Sequence, residues 1–237
     1  MMTGCLEPVF NPIQGYRRIY LDLPGMGRTP PAAWIQNPDN ILEALTEFVD
    51  AVIPDENFLV AGESYGGRLT LGLIHKMKER IDGVLLICSN VPKGALPERQ
   101  ILWESEALKP EEDADRKTFM DVAVVATPEL FEKFKKDVLP GIKAANQEFL
   151  STAVMGTYSP DLEDALKTIS FEKPACILAG RQDHWVGYQG AYELLERFPR
   201  AAFAVFDCAG HNLQIENEPL FTQHVKDWIR RIELTQM

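Results

Sequence analysis

Apolar positions along this chain follow two alternating rhythms. Short apolar runs, bounded by glycine, proline or acidic residues, alternate with longer stretches in which apolar side chains recur every three to four positions. The runs at 18–22, 58–61, 84–88, 175–179 and 202–206 predict strands. Between them the longer stretches predict helices. One starts near Asn37-Pro38, a polar cap followed by a first-turn proline, and turns Ile41, Leu45, Phe48, Val49 and Val52 to one side. A second follows Ser64 and carries Leu69, Leu73 and Met77; a third covers about 188–198. The last starts near Asn217 and buries Phe221, Val225, Trp228, Ile229 and Ile232. The run Val84-Leu85-Leu86-Ile87-Cys88 is apolar throughout, as in a strand covered on both faces. Strands alternating with helices imply a parallel sheet with right-handed crossovers, whose ligand site lies at the carboxyl ends of the strands.

From about residue 92 to 173 the pattern changes to charged sequence with short helical periods and no convincing strand. Thr127-Pro128-Glu129 opens a helix that faces Leu130, Phe131, Phe134 and Val138 inward and stops at Pro140-Gly141. Ser159-Pro160 opens another. The expected organisation is a core made of 1–92 and 174–237, interrupted by a helical insertion at 93–173. Trp103, Phe119, Met120, Phe131, Phe134, Phe149 and Met155 are expected mostly to pack the insertion on the core, with the lining of an apolar pocket as the alternative. Trp185 is the better pocket candidate.

Composition narrows the function. With 237 residues, 46% of them apolar, the chain fits one large domain with a sizeable core. A formal charge of −11 leaves no basic surface for nucleic acid. No apolar run approaches the roughly 18 residues that span a bilayer, and residues 1–6 lack a basic-then-apolar leader. A cytoplasmic protein with no membrane or nucleic-acid partner is expected. Cys5, Cys88, Cys176 and Cys208 form no C-x-x-C pair and are expected to be buried, reduced thiols. The histidines are scattered and there is no H-E-x-x-H, so no metal is expected. Gly25-Met26-Gly27 is only a fragment of a dinucleotide fingerprint, and no phosphate loop is present, so no cofactor is expected.

The chemistry concentrates at Gly62-Glu63-Ser64-Tyr65-Gly66-Gly67, between a predicted strand and a predicted helix. G-x-S-x-G in that setting describes a nucleophile elbow, a turn so tight that it strains the serine backbone and crowds its neighbours. A serine needs a base, and the base needs a carboxylate to orient it. Two post-strand loops offer these groups: Gly180-Arg181-Gln182-Asp183 and Ala209-Gly210-His211. Asp207 competes with Asp183, and His184 with His211, though Asp207 ends a strand and His184 directly adjoins the acid. Glu63 is expected to form pocket wall or helix end, and His75 and His224 to be structural or solvated.

Together, Asp22-Leu23-Pro24-Gly25-Met26-Gly27-Arg28-Thr29, the Gly62–Gly67 elbow, the insertion, Gly180-Arg181-Gln182-Asp183 and Ala209-Gly210-His211-Asn212 resemble the α/β-hydrolase superfamily over essentially the whole chain. The resemblance implies an α/β-hydrolase fold with a mostly parallel sheet flanked by helices. It makes Ser64 the nucleophile, His211 the general base and later acid, Asp183 the orienting carboxylate, and the Tyr65 backbone N–H an oxyanion donor. The insertion becomes a cap over a small-molecule site. The implied activity is serine hydrolysis of an ester, thioester, amide or carbon–carbon bond. An acyltransferase or lyase using the same triad remains open, as does a catalytically impaired ligand-binding relative. The family places three strands before the one expected at 18–22, with a His-Gly oxyanion loop after the third. Here about 17 residues precede it, without His-Gly, so the N-terminal strands are expected to be absent and the sheet to carry a gap or altered pairing there.

Overall fold

A computed structural model of the chain describes residues 3–89, 91, 94–108, 113–154 and 159–237. Met155 and the Pro92 boundary lie outside the described residues. The core is a four-stranded parallel sheet in the order β1 (Phe58–Glu63), β2 (Ile81–Ile87), β5 (Ala175–Gly180), β6 (Ala201–Phe206). The register runs Glu63 beside Ile87, Ile87 beside Leu178, and Gly180 beside Phe206. All four carboxyl ends therefore lie along one rim.

Helices cover both faces. On one, α2 (Pro38–Val52) buries Ile41, Leu42, Leu45 and Val49, and α3 (Tyr65–Met77) buries Leu69, Leu71 and Leu73 against Val84, Leu86 and Ile177. Asn37 caps α2, its side chain accepting from the Asn40 N–H, but Val52 points to solvent. On the other face, α11 (Glu218–Gln236) packs Phe221, Val225, Trp228 and Ile232 against Leu85, Cys176 and Leu178. The Trp228 indole donates to the Pro174 carbonyl at 3.2 Å, so its one polar atom is satisfied inside the core. The helix α1 (Thr3–Phe10) adds Leu6 and Val9 to this face.

The expected strand at 18–22 is not one. β1 lies at the edge of the described sheet, so 18–22 has no strand to pair with, and Tyr20 and Leu21 remain exposed. Side chains hold the segment instead: Arg18 forms a two-point ion pair with Glu7 on α1, and the Tyr20 hydroxyl donates to the same carboxylate at 2.6 Å.

The insertion, between β2 and β5, also departs from expectation. Trp103–Glu104 (β3) and Val125–Ala126 (β4) form a parallel pair, too short to leave a periodic signal. The helix α5 (Pro128–Asp137) starts at the Thr127 cap but ends before Pro140, which sits in the first turn of α6 (Leu139–Ala144). Two further short helices follow, α7 (Gln147–Ala153) and α8 (Pro160–Thr168), after α4 (Ala114–Met120) nearer the start. The Phe119 ring lies 5.3 Å from that of Phe131 and 5.4 Å from that of Phe134, centroid to centroid. Phe149 lies against Gly25 in the 22–29 loop. These side chains pack the insertion, as expected, but Trp103 is about half exposed.

The insertion is moored at several points. Arg68 of α3 pairs with Glu163 of α8, Asp39 of α2 accepts from the Ser159 hydroxyl and the Leu162 N–H, and Lys133 of α5 pairs with Glu218 of α11. The remaining helices are α9 (Gln189–Glu193), shorter than the predicted 188–198 because it tightens into a 3₁₀ turn at Leu194–Glu196, and α10 (Leu213–Glu216). Among the described residues no helix is long and apolar enough to cross a membrane.

Candidate active site

The turn from β1 into α3 places Ser64 at φ 53° and ψ −118°, a positive-φ backbone that costs a non-glycine residue on the order of 1–3 kcal/mol. The Ser64 N–H donates to the Ile87 carbonyl at 2.9 Å, pinning the turn to the end of β2. Glycine is required here by crowding. A Cβ on Gly62 would lie 2.3 Å from the Gly66 carbonyl oxygen, and one on Gly67 would lie 2.1 Å from Ser89 Oγ. Gly66, the second glycine of the motif, has open space where a Cβ would be. Tyr65 is the first residue of α3, so its N–H has no acceptor inside the helix and remains available at the positive end of the helix dipole.

The acid and base loops are laced together. The Gln182 N–H donates to the Ala209 carbonyl at 3.1 Å, and the Ala209 N–H to Gln182 Oε1 at 3.3 Å. His211 Nδ1–H donates to Asp183 Oδ2 at 2.9 Å. The other oxygen, Asp183 Oδ1, accepts from the N–H groups of Trp185 (2.9 Å) and Val186 (3.2 Å). Asp183 is fully buried and His211 nearly so. Burial alone would push the Asp183 carboxyl up, but the His211 bond and the two N–H donors outweigh it and hold the carboxyl below its ordinary range. Burial opposes the charge on His211 too, yet the Asp183 bond and charge prevail and raise the imidazole above its ordinary value.

Asp207 is elsewhere: it is exposed and accepts from Gln182 Nε2 at 2.9 Å. His184 stacks edge-on to Trp185 and makes no bond to Asp183. The Trp185 ring centroid lies 5.3 Å from that of His211, and Trp185 is about half exposed. Ser64 is brought to the same rim, but among the described residues its hydroxyl makes no hydrogen bond, to His211 or otherwise. The arrangement thus contains an oriented His–Asp pair and a strained serine, with the serine–histidine contact unmade.

Two further carboxylates also face this site: Glu63, expected as pocket wall or helix end, and Glu216, which pattern reading does not single out. Glu63 accepts from Gln214 Nε2 at 2.9 Å, and burial raises its carboxyl. Glu216 accepts from Gly210 N–H at 2.7 Å and Val124 N–H at 3.0 Å, and burial pushes it up to about 7. Glu63 lies within the elbow motif, whereas Glu216 has no motif to announce it. Cys88, Asp183 and His211 bring a thiol, a carboxylate and an imidazole within 4.8 Å of one another, a possible donor set for a metal ion. Its chemistry is poorly suited, since the imidazole and carboxylate engage each other and burial holds the Cys88 thiol protonated, well above its ordinary value. Cys5 and Cys176 are also buried and free, whereas Cys208 is exposed, because it sits in the turn past the end of β6. An open cleft of about 470 Å³ lies beyond the acid loop, between Leu96, Pro97 and Arg99 and Arg181, Gln182 and Tyr188. It contains neither Ser64 nor His211.

Comparison with known proteins identifies the family and the fold. Residues 5–218 match the family described as the alpha/beta hydrolase fold, and the chain belongs to that family. A 2-hydroxy-6-oxononadienedioate/2-hydroxy-6-oxononatrienedioate hydrolase of Pseudomonas putida is 24% identical over 95% of this chain and 80% of its own. The crystal structure of an alpha/beta superfamily hydrolase from Oenococcus oeni PSU-1 superposes with a TM-score of 0.87 at 26% identity, covering 98% of this chain and 89% of that one. A meta-cleavage product hydrolase from Pseudomonas fluorescens IP01 shares the fold, with a TM-score of 0.65 at 21% identity over 95% of this chain and 83% of the other.

Proposed function

We propose that this chain is a serine hydrolase that cleaves an ester, thioester, amide or carbon–carbon bond next to the carbonyl of a small organic molecule. The observation that carries this is the 2.9 Å bond from His211 Nδ1–H to a fully buried Asp183, on the same rim as a serine held at positive φ. That bond fixes the imidazole tautomer and leaves Nε2 as the basic nitrogen. In the proposed reaction Nε2 takes the Ser64 proton as Oγ attacks the carbonyl carbon. The Tyr65 N–H holds the developing oxyanion at the start of α3. His211 then returns the proton to the leaving group, giving an acyl-enzyme. A water deprotonated by His211 attacks the acyl carbon, and Ser64 leaves with the proton.

The unmade serine–histidine contact fits this scheme, since such bonds often tighten only once substrate is bound. The relative from Pseudomonas putida is named for a substrate with a 6-oxo group, a carbonyl open to the same attack. Steady-state turnover of a p-nitrophenyl ester and of a 6-oxo-2-hydroxy-dienoate separates ester from carbon–carbon cleavage. Replacing Ser64 by Ala is expected to remove turnover of whichever is cleaved. Unchanged turnover in that variant contradicts the proposal.

A further inference from the structure

The structure assigns Glu216 as a positioning residue that ties the insertion to the loop carrying His211. This rests on the proposed role of His211. The carboxylate accepts the N–H of Gly210, the residue before the histidine, at 2.7 Å. Its other oxygen accepts the N–H of Val124, in the insertion, at 3.0 Å. Glu216 ends α10, whose first turn begins just after His211. The bond back to Gly210 therefore closes a ring of backbone and side chain around the histidine.

Among the described residues no backbone–backbone hydrogen bond joins the insertion to the 209–211 loop. Val124 also accepts from the Leu102 N–H at 2.8 Å, and the next residues form β4, which pairs with β3. The Val124 side chain lies against Gly210 itself. A shift of the insertion at 122–126 must therefore either break a bond to Glu216 or drag the Gly210–His211 backbone with it. The other moorings of the insertion, at Arg68–Glu163, Asp39–Ser159 and Lys133–Glu218, involve no residue of the 209–211 loop. Glu216 is thus the hydrogen-bonded link through which the insertion's position reaches the base, beside the packing of Val124 on Gly210.

Two carboxylate oxygens, each accepting one backbone N–H, also explain why this site takes Glu. Gln offers one acceptor and turns its amide N–H₂ toward a second donor. An Ala leaves both backbone N–H groups without a partner. The charged and titratable groups that face this carboxylate are Asp183 and His211, and Glu63 faces the same imidazole.

The test compares Glu216→Gln, Glu216→Ala and, as a mooring control, Glu218→Gln in the full chain. The readouts are kcat and KM on an ester substrate, and the His211 ring resonances followed by NMR against pH. Misplacing a reacting group by about 1 Å can cost up to ~10²-fold, so kcat is expected to fall by ~10-fold or more in both Glu216 variants, with KM within about threefold. The His211 titration midpoint should move to lower pH as a nearby negative charge is removed. Glu218→Gln, which severs the Lys133 mooring only, should leave kcat within about twofold and the midpoint in place. Glu216 variants that lose thermal stability but keep wild-type kcat and an unmoved His211 midpoint overturn the assignment. So does Glu218→Gln reproducing the full effect. The NMR readout needs no turnover. An inactive wild-type chain would count against the hydrolase proposal, while a shifted or unshifted midpoint would still decide the role of Glu216.

Discussion

At the scale of single residues, what the sequence makes legible is the set of side chains that sit in marked turns. Ser64, Asp183 and His211 stand out in the sequence because each follows a predicted strand in a glycine-marked turn, and the structure puts the last two in direct contact. Glu63 is legible only as pocket wall or helix end beside the elbow, and Glu216 is not singled out at all. Their roles depend on which backbone N–H or amide ends up beside them in three dimensions, and nothing local encodes Val124 or Gln214 as those partners. The glycines split in the same way. Gly62 and Gly67 are required by close neighbours, whereas a Cβ added to Gly66 would meet nothing. Gly66→Ala is expected to keep the fold, and Gly67→Ala to lower the melting temperature clearly, since Ser89 would have to move; calorimetry on both variants checks this. The raised imidazole of His211 has a kinetic sign. His211 must be neutral to take the Ser64 proton, so kcat/KM should rise with pH and reach half its plateau above the ordinary histidine midpoint of about 6.5. Asp183→Asn removes the bond and charge that raise it. That variant should move the acid limb to lower pH and, by losing the correct tautomer, cut kcat by about 10³–10⁴-fold.

At the scale of elements, long amphipathic segments were readable and short or partner-dependent ones were not. The five inward residues of α11 (Phe221, Val225, Trp228, Ile229 and Ile232) are all buried, and Asn217 caps that helix by accepting the Leu220 N–H. Replacing Asn217 by Ala should cost about 1 kcal/mol, measurable as a lower denaturation midpoint with an unchanged slope. The segment 18–22 has the composition of a strand but finds no neighbour, because strand formation depends on pairing as much as on the residues themselves. β3 and β4 failed in the opposite direction, since two residues each cannot show a period. Pro140-Gly141 has the pattern of a helix stop, but a proline that cannot continue one helix can open the next, and Pro140 sits in the first turn of α6.

At the scale of the molecule, fold and site are joined through the rim of the sheet. The elbow after β1, the acid loop after β5 and the histidine loop after β6 converge because the strands are parallel and in register. This much follows from strand–helix alternation. How the insertion sits on that rim does not, and it rests on specific ion pairs and on Glu216. The raised carboxyl of Glu216 links site to stability. Its value of about 7 lies above the ordinary 4.5, so the folded chain holds a proton that the unfolded chain has released. Its contribution is fully present below the ordinary value and is lost as pH rises through about 7. The melting temperature should therefore decline across this window, and Glu216→Gln should flatten the decline. Asp183, held low, acts in the opposite sense, adding stability that is lost only as pH falls below the ordinary carboxylate range. The central claim is that Ser64 is a nucleophile activated by the oriented His211. Labelling the intact protein with a fluorophosphonate and mapping the adduct by mass spectrometry tests it most directly. One adduct per chain is expected, on the peptide containing Ser64 and lost in Ser64→Ala, with a labelling rate that falls sharply in His211→Ala. Absence of an adduct on the folded chain, or an adduct on another residue that persists in Ser64→Ala, would contradict the account.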